Sequence, residues 1–318
     1  MREADLIERL RRLATHPGAR ELRDDAAVLE GLVLTHDTIA EGVHFFPFDP
    51  PASVGWKLLA VNLSDLAAKG AAPVGVLLSV TLSDDDWIAA FIDGMEAACE
   101  SYRVPLLGGD TISLPPGAPR IVGLTAVGRA GERTPARSGG RPGDRLWVAG
   151  TLGDAAAGLA LLDMDPAADG PLVDVFRRPV PLLEMGRALA PHATAMMDVS
   201  DGLLLDLSRL CAASGCGAEV QLDAMPLSRA FVGEKGQDRA ARLFAASGGD
   251  DYALLAAIPP ELDPSVTLSL PEKPTLVCIG RLAEGHGISL TDGGETVPLP
   301  ERLGYEHRTE LSPMDDRG

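Results

Sequence analysis

The chain has 318 residues and a formal net charge of −18, with 46% apolar and 4% aromatic residues. That length can bury a large core and favours two domains over one. The acidity comes without a basic stripe, which excludes a nucleic-acid binder that must displace counterions with Lys and Arg, and no apolar run is long enough to span a bilayer, so no membrane partner is expected.

The opening Met1–Leu10 lacks the basic-then-apolar pattern of a signal peptide and instead spaces Leu6, Ile7, Leu10 and Leu13 as an amphipathic helix. After Asp24-Asp25 a strand is predicted through Leu32-Val33-Leu34, ending at Asp37. A helix is predicted from an N-cap at Ser53 to Lys69, stopped by Gly70. A strand over 74–82, a helix over 85–102 and a short apolar run, Val104 to Leu107, lead to Gly108-Gly109-Asp110, and a further strand covers 121–127. Glycine, proline and charge then cluster between Arg137 and Asp144, and Leu146-Trp147-Val148 starts a new strand, so the domain boundary is placed at 140/141.

In the second half the pattern predicts helices over 154–162 and near 182–189, separated by a loop rich in Pro, Asp and Gly. A helix follows Asp198-Val199-Ser200-Asp201, strands are expected at 218–222 and after Tyr252, and a final strand lies near 276–279. Strands and helices alternate without a strict βαβ rhythm, which points to α+β. The four cysteines form no CxxC pair and read as small buried hydrophobes in a reducing compartment, so a cytoplasmic location is expected.

The informative feature is the placing of the aspartates. Asp25, Asp37, Asp110 and Asp198 fall at strand edges or in adjoining turns, Asp201 opens a helix, and Asp65 lies inside one on the same face as Asn62. Any one of them could simply cap a helix or stabilise a turn. Gathered together, they would repel unless cations sat among them, and carboxylates are hard ligands suited to magnesium. Asp65 resists the bland reading most, because an unpaired charge in its apolar stretch is costly. Gly108-Gly109 allows close backbone approach, and Gly150 to Gly158 leads a strand into a helix whose N-terminus favours anions. There is no P-loop, no HExxH and no GxSxG elbow, so ATP would need another scaffold and hydrolytic chemistry is not supported.

Taken in order, Asp24-Asp25-Ala26-Ala27, Thr35-His36-Asp37 through His44-Phe45, Asn62-Leu63-Ser64-Asp65-Leu66-Ala67-Ala68, Gly108-Gly109-Asp110-Thr111, Arg137 through Asp144, Asp198-Val199-Ser200-Asp201-Gly202-Leu203 and Ser247 through Tyr252 resemble the thiamine-monophosphate kinase family, within the aminoimidazole ribonucleotide synthetase-like superfamily. The resemblance runs from about residue 5 to 307. It implies a two-domain α+β fold: residues 1–140 would bind metal and ATP and pair in a homodimer, and 141–318 would complete the site. It implies that Asp25, Thr35, Asp37, Asp65, Asp110, Asp198 and Asp201 bind Mg2+. Gly109, Asp110, Arg137 and Ser200 would contact ATP, and His44, Asp250 and Tyr305 would meet thiamine monophosphate. Asp110, Arg137 and Asp201 are the residues expected to carry catalysis.

The sequence departs from the family pattern at Arg23 (usually Gly), His36 (usually Thr or Ser), Lys69 (usually Met) and Asp250 (usually Glu). Two alternatives stay open: another ATP-dependent superfamily enzyme of the amide-activating purine-pathway ligase type, or a non-catalytic nucleotide-binding protein.

Overall fold

The computed structural model describes residues 3–82, 84–268 and 275–307. Its first half is a five-stranded sheet of β1 (Ala27–Leu29), β2 (Leu32–Ala40), β3 (Ala72–Leu82), β4 (Leu106–Ser113) and β5 (Ile121–Arg129), in the order β1-β2-β5-β3-β4. β3 and β4 run parallel and the other neighbours antiparallel. The second half is a seven-stranded mixed sheet of β6 (Arg145–Ala149), β7 (Ala195–Val199), β8 (Gly217–Gln221), β9 (Ala253–Ile258), β10 (Leu276–Ala283), β11 (Gly287–Asp292) and β12 (Glu295–Val297), ordered β12-β11-β8-β10-β6-β9-β7. The sequence reading stopped at β10, because β11 and β12 are short and separated by tight glycine turns. The helices are α1 (Glu3–Leu10), α2 (Pro51–Ala68), α3 (Asp85–Tyr102), α4 (Asp154–Met164), α5 (Pro171–Arg177), α6 (Leu183–Leu189), α7 (Leu203–Ser214), α8 (Arg229–Lys235), α9 (Arg239–Ser247) and the single turn α10 (Pro264–Thr267).

The organising element is α2. Pro51 starts it, since Pro at the first helical position loses no hydrogen bond and has its φ already set. Ser53 is therefore not the N-cap; its hydroxyl donates to Pro50 O instead (2.7 Å). Leu58, Leu59, Leu63 and Leu66 are fully buried, each contributing about 1.5–3 kcal/mol relative to exposure. A helix apolar around most of its circumference must be covered around most of it. α3 and the first sheet cover one flank, and α6, β7 and β9 cover the other. Small residues permit these crossings: a Cβ on Gly94 of α3 would stand 1.9 Å from Ala52 O, and one on Gly186 of α6 2.0 Å from Ala67 O. α2 thus lies between the two sheets and presents one polar edge to the space where they meet.

Candidate active site

A cavity of about 900 Å³ opens where the sheets meet, lined from both halves of the chain. Along β2 the residues alternate: Val33, Thr35 and Ile39 are buried with Asp37 on the same face, while His36 and Thr38 are exposed on the other. On α2, Asn62, Asp65 and Lys69 recur at helical spacing on the facing edge. The backbone N–H of Asp37 donates to Asn62 Oδ1 (3.0 Å), and the Thr35 hydroxyl donates to Asp65. From the second sheet, Asp198 accepts from Ser64 (2.7 Å). Carboxylate oxygens of Asp25, Asp65 and Asp198 lie within 4.8 Å of one another. Segments far apart in the chain therefore bring these three acids to one point.

Electrostatics show the cost. Burial, and then the neighbouring charges of Asp201 and Asp25, push Asp37 up to about 6. Burial and then Asp25 push Asp198 to about 8. Asp65 rises well above the usual range through burial, then Asp37, Asp198 and Asp25. Such groups want a proton or a cation. The chain supplies part of the compensation itself. Arg137 Nε donates to Asp25 Oδ1 (2.6 Å), and although burial opposes the guanidinium charge, Asp25, Asp206 and Asp198 hold it firmly protonated. Asp25 Oδ2 is buried against the Lys69 ammonium (2.5 Å). A set of hard oxygen donors whose carboxylates outnumber the cations beside them fits a magnesium ion.

The 198–206 turn is built on Asp206, whose carboxylate accepts the backbone N–H groups of Ser200 (3.1 Å) and Asp201 (3.0 Å). α7 begins at Leu203 with Gly202 before it, so Asp201 does not cap the helix; its side chain pairs with Arg209, which also reaches Asp206 (2.9 Å). Ser200, Asp201 and Arg137 line the cavity.

A second region of the lining is apolar and aromatic, with Phe46, Phe176 and Tyr252 as well as His44, Asp250 and Tyr305. His44 Nδ1 accepts from the Ala40 N–H (3.1 Å), and burial holds the ring neutral by lowering its pKa to about 4. Asp250 receives Lys57 Nζ (2.8 Å) and the Tyr252 hydroxyl (3.0 Å). Lys57 is itself buried, donates to His44 O (3.0 Å) and sits 3.9 Å from the Phe176 ring centre. Asp250 and Tyr252 take left-handed backbone, φ 66° and 50°, a strained choice for side-chain-bearing residues. Between them, the half-buried Asp251 accepts from the N–H groups of Gly153 (2.8 Å) and Ala155 (3.4 Å). The N-terminus of α4, which the sequence offered to a ligand anion, is thus filled by the chain's own carboxylate.

Gly109 and Asp110 stand apart from this assembly. They lie within β4, not in a turn beside it, and β4 is an exposed edge strand whose residues do not line the cavity. Gly109 is required by strand pairing: a Cβ there would meet Leu78 O at 1.9 Å. His36 also borders the cavity, exposed, with its ring nitrogens at Thr125 (2.9 Å) and Thr38 (3.3 Å) Oγ1. The sequence assigns no site role to Lys57, Asp206, Arg209 and Asp251, and marks Lys69 only as a departure from the family pattern; Arg209 and Asp206, three apart on one helix, offer the clearest overlooked signal.

Residues 23–130 match the AIR synthase related protein N-terminal domain and 141–293 the corresponding C-terminal domain. The chain is 39% identical to the thiamine-monophosphate kinase of Caulobacter vibrioides, covering 96% of this chain and 90% of the relative. It superposes on AaThiL complexed with AMPPCP and TMP with a TM-score of 0.83 at 32% identity, over 96% of this chain and 97% of the other. For the kinase from Stenotrophomonas maltophilia the TM-score is 0.73 at 38% identity, over 92% and 96%. With its convergent acids and a match that spans both halves, the chain belongs to the thiamine-monophosphate kinase family.

Proposed function

We propose that the protein transfers the γ-phosphoryl group of ATP to thiamine monophosphate, giving thiamine diphosphate and ADP. The observation that carries this reading is one cavity with two chemically opposed ends, a cluster of converging carboxylates and an aromatic pocket with a single paired acid. AaThiL, which shares the fold and a third of the sequence, was solved with AMPPCP, an ATP analogue, and TMP.

In this reading Asp25, Asp65 and Asp198, with Thr35, Asp37 and Asp201 beside them, hold Mg2+. The bound ion would offset the charge of the polyphosphate. The acceptor is a phosphate oxygen already anionic near neutral pH, so no general base is needed. The obstacle is repulsion: two unit charges at about 4 Å and an effective dielectric near 20 repel by roughly 4 kcal/mol. Arg137 lowers that barrier and, with Ser200, orients the nucleotide for direct in-line transfer. His44, Asp250 and Tyr305 grip the thiamine end; neutral His44 offers a hydrogen bond without adding charge.

The exposed β4 edge supports pairing of two chains through their first sheets. Leu77, Leu106, Leu107 and Ile112 are all more than two-fifths exposed there, and an open apolar edge seeks a partner. Pairing would also explain Gly109 and Asp110, which act in the site only if a second copy brings it to β4. Residues 1–140 then form the metal-binding and pairing domain, and 141–318 complete the site. Among the described residues no helix is long and apolar enough to cross a membrane, and Cys99, Cys211, Cys216 and Cys278 are free thiols, which suits a cytoplasmic enzyme.

The test is an assay of purified protein with ATP, Mg2+ and thiamine monophosphate, with free thiamine and aminoimidazole precursors as comparison substrates. Thiamine diphosphate and ADP should form in equal amounts. ATP turnover with a comparison substrate, and none with thiamine monophosphate, would overturn the reading.

A further inference from the structure

Lys69 closes α2 and is completely buried. Its ammonium has three protons and makes three hydrogen bonds: to Asp24 Oδ1 (2.6 Å), Met196 O (2.9 Å) and Pro135 O (3.2 Å). Its nearest oxygen is a fourth one, Asp25 Oδ2 at 2.5 Å. Four oxygens thus compete for three protons, and the ammonium charge sits directly against Asp25. The attraction of that carboxylate for a metal ion is weakened by the neighbouring positive charge.

We propose that Lys69 is a resident cation of the metal cluster, a positioning residue that holds Asp25 in place before any ion arrives and weakens the binding of divalent cations there. Asp24 is the counterweight. Its side chain is buried, it is held below the usual carboxylate range by Lys69 and Arg20 against the cost of burial, and it holds the ammonium at 2.6 Å. The anchors of Lys69 come from both halves of the chain: Asp24 precedes β1, and Met196 lies in β7. The ammonium thus has little freedom to withdraw when a divalent ion binds. A site tuned in this way releases its ion with the product more readily than three bare carboxylates would.

This rests on the cation-binding reading of Asp25, Asp65 and Asp198, and the experiment separates the two. Mn2+ is titrated into the full-length protein without nucleotide, and free Mn2+ is followed by electron paramagnetic resonance. Lys69→Met, which keeps the aliphatic length and removes the charge, should bind Mn2+ at least about tenfold more tightly than the native protein and lose thermal stability that added Mn2+ restores. The double variant Lys69→Met, Asp24→Asn removes a charge of each sign, so it keeps the buried balance and should show the same tightening. In the native protein labelled with 15N-lysine, which has only four lysines, one slowly exchanging ammonium signal should shift on addition of Mg2+. Mn2+ affinity that is equal or weaker in the variants, or lysine signals that ignore Mg2+, would overturn the role of Lys69. Absence of Mn2+ binding to any of the proteins would overturn the cation site as well.

Discussion

The two ends of the cavity solve the problem of buried charge in opposite ways. At the aromatic end the account closes: Asp250 has Lys57 on one oxygen and the Tyr252 hydroxyl on the other, and His44 is held neutral. At the acidic end Asp24, Asp25, Asp37, Asp65, Asp198, Asp201 and Asp206 meet Lys69, Arg20, Arg137 and Arg209, and the carboxylates remain in excess. One end is finished by folding; the other is left for ligands to finish. The difference teaches which residues should govern affinity for the acceptor and which should govern turnover.

The sharpest way to break this contrast is to neutralise each end in turn. Asp65→Asn should lower kcat by about a thousandfold, on the scale of losing a preorganised electrostatic contact in an active site. The metal-free protein should be no less stable, because one of several mutually repelling acids is gone. A variant that kept near-native kcat would remove Asp65 from the machinery. Asp250→Asn should instead raise KM for thiamine monophosphate by roughly tenfold, the loss of about one charge-assisted hydrogen bond, with KM for ATP unmoved. If both KM values rose together, the division of the cavity into two ends would fail.

The smallest effect is in pH dependence, where the ends carry opposite signs. Asp37 and Asp198 have folded-state values above those of the unfolded chain. Their stability contribution is present when protonated, so it is lost as pH rises from about 4 through 8. His44 is lowered from 6.5 to about 4, so its contribution is lost as pH falls through that window. Thermal melting of the metal-free protein should therefore decline from pH 6.5 to 8.5, and saturating Mg2+ should flatten that limb alone. A decline that Mg2+ left untouched would locate the titrating groups elsewhere.

Much of the acidic end could be read from the sequence because its residues cluster in short, distinctive runs. Asp65 was conspicuous as a charge in an apolar helix, and that anomaly has a physical cause in the surrounding acids. The paired cations were hidden for the converse reason. Lys57 and Lys69 sit on a helix, where lysines ordinarily point to solvent, and only the sheet packed on each side of α2 reveals them as buried. Asp251 was likewise invisible as a cap for α4, because about a hundred residues separate it from the amides it satisfies. Helices α5 and α8 lie in segments whose Pro, Gly and charged residues weaken helical periodicity; α9, amphipathic behind its Asp238 cap, is legible and simply not read; and the glycines beside Asp110 suggest a turn where an edge strand runs.

The helix between the sheets also acts as a ruler. Lys57 serves the aromatic end and Lys69 the acidic end, twelve residues apart on α2 and its cap, which at 1.5 Å per residue is about 18 Å along the axis. The spacing between these two buried ammonium groups is therefore written as a number of helical turns. Lengthening α2 by one residue would swing its polar edge by about 100° and detune both ends at once, so this helix tolerates changes of residue far better than changes of length.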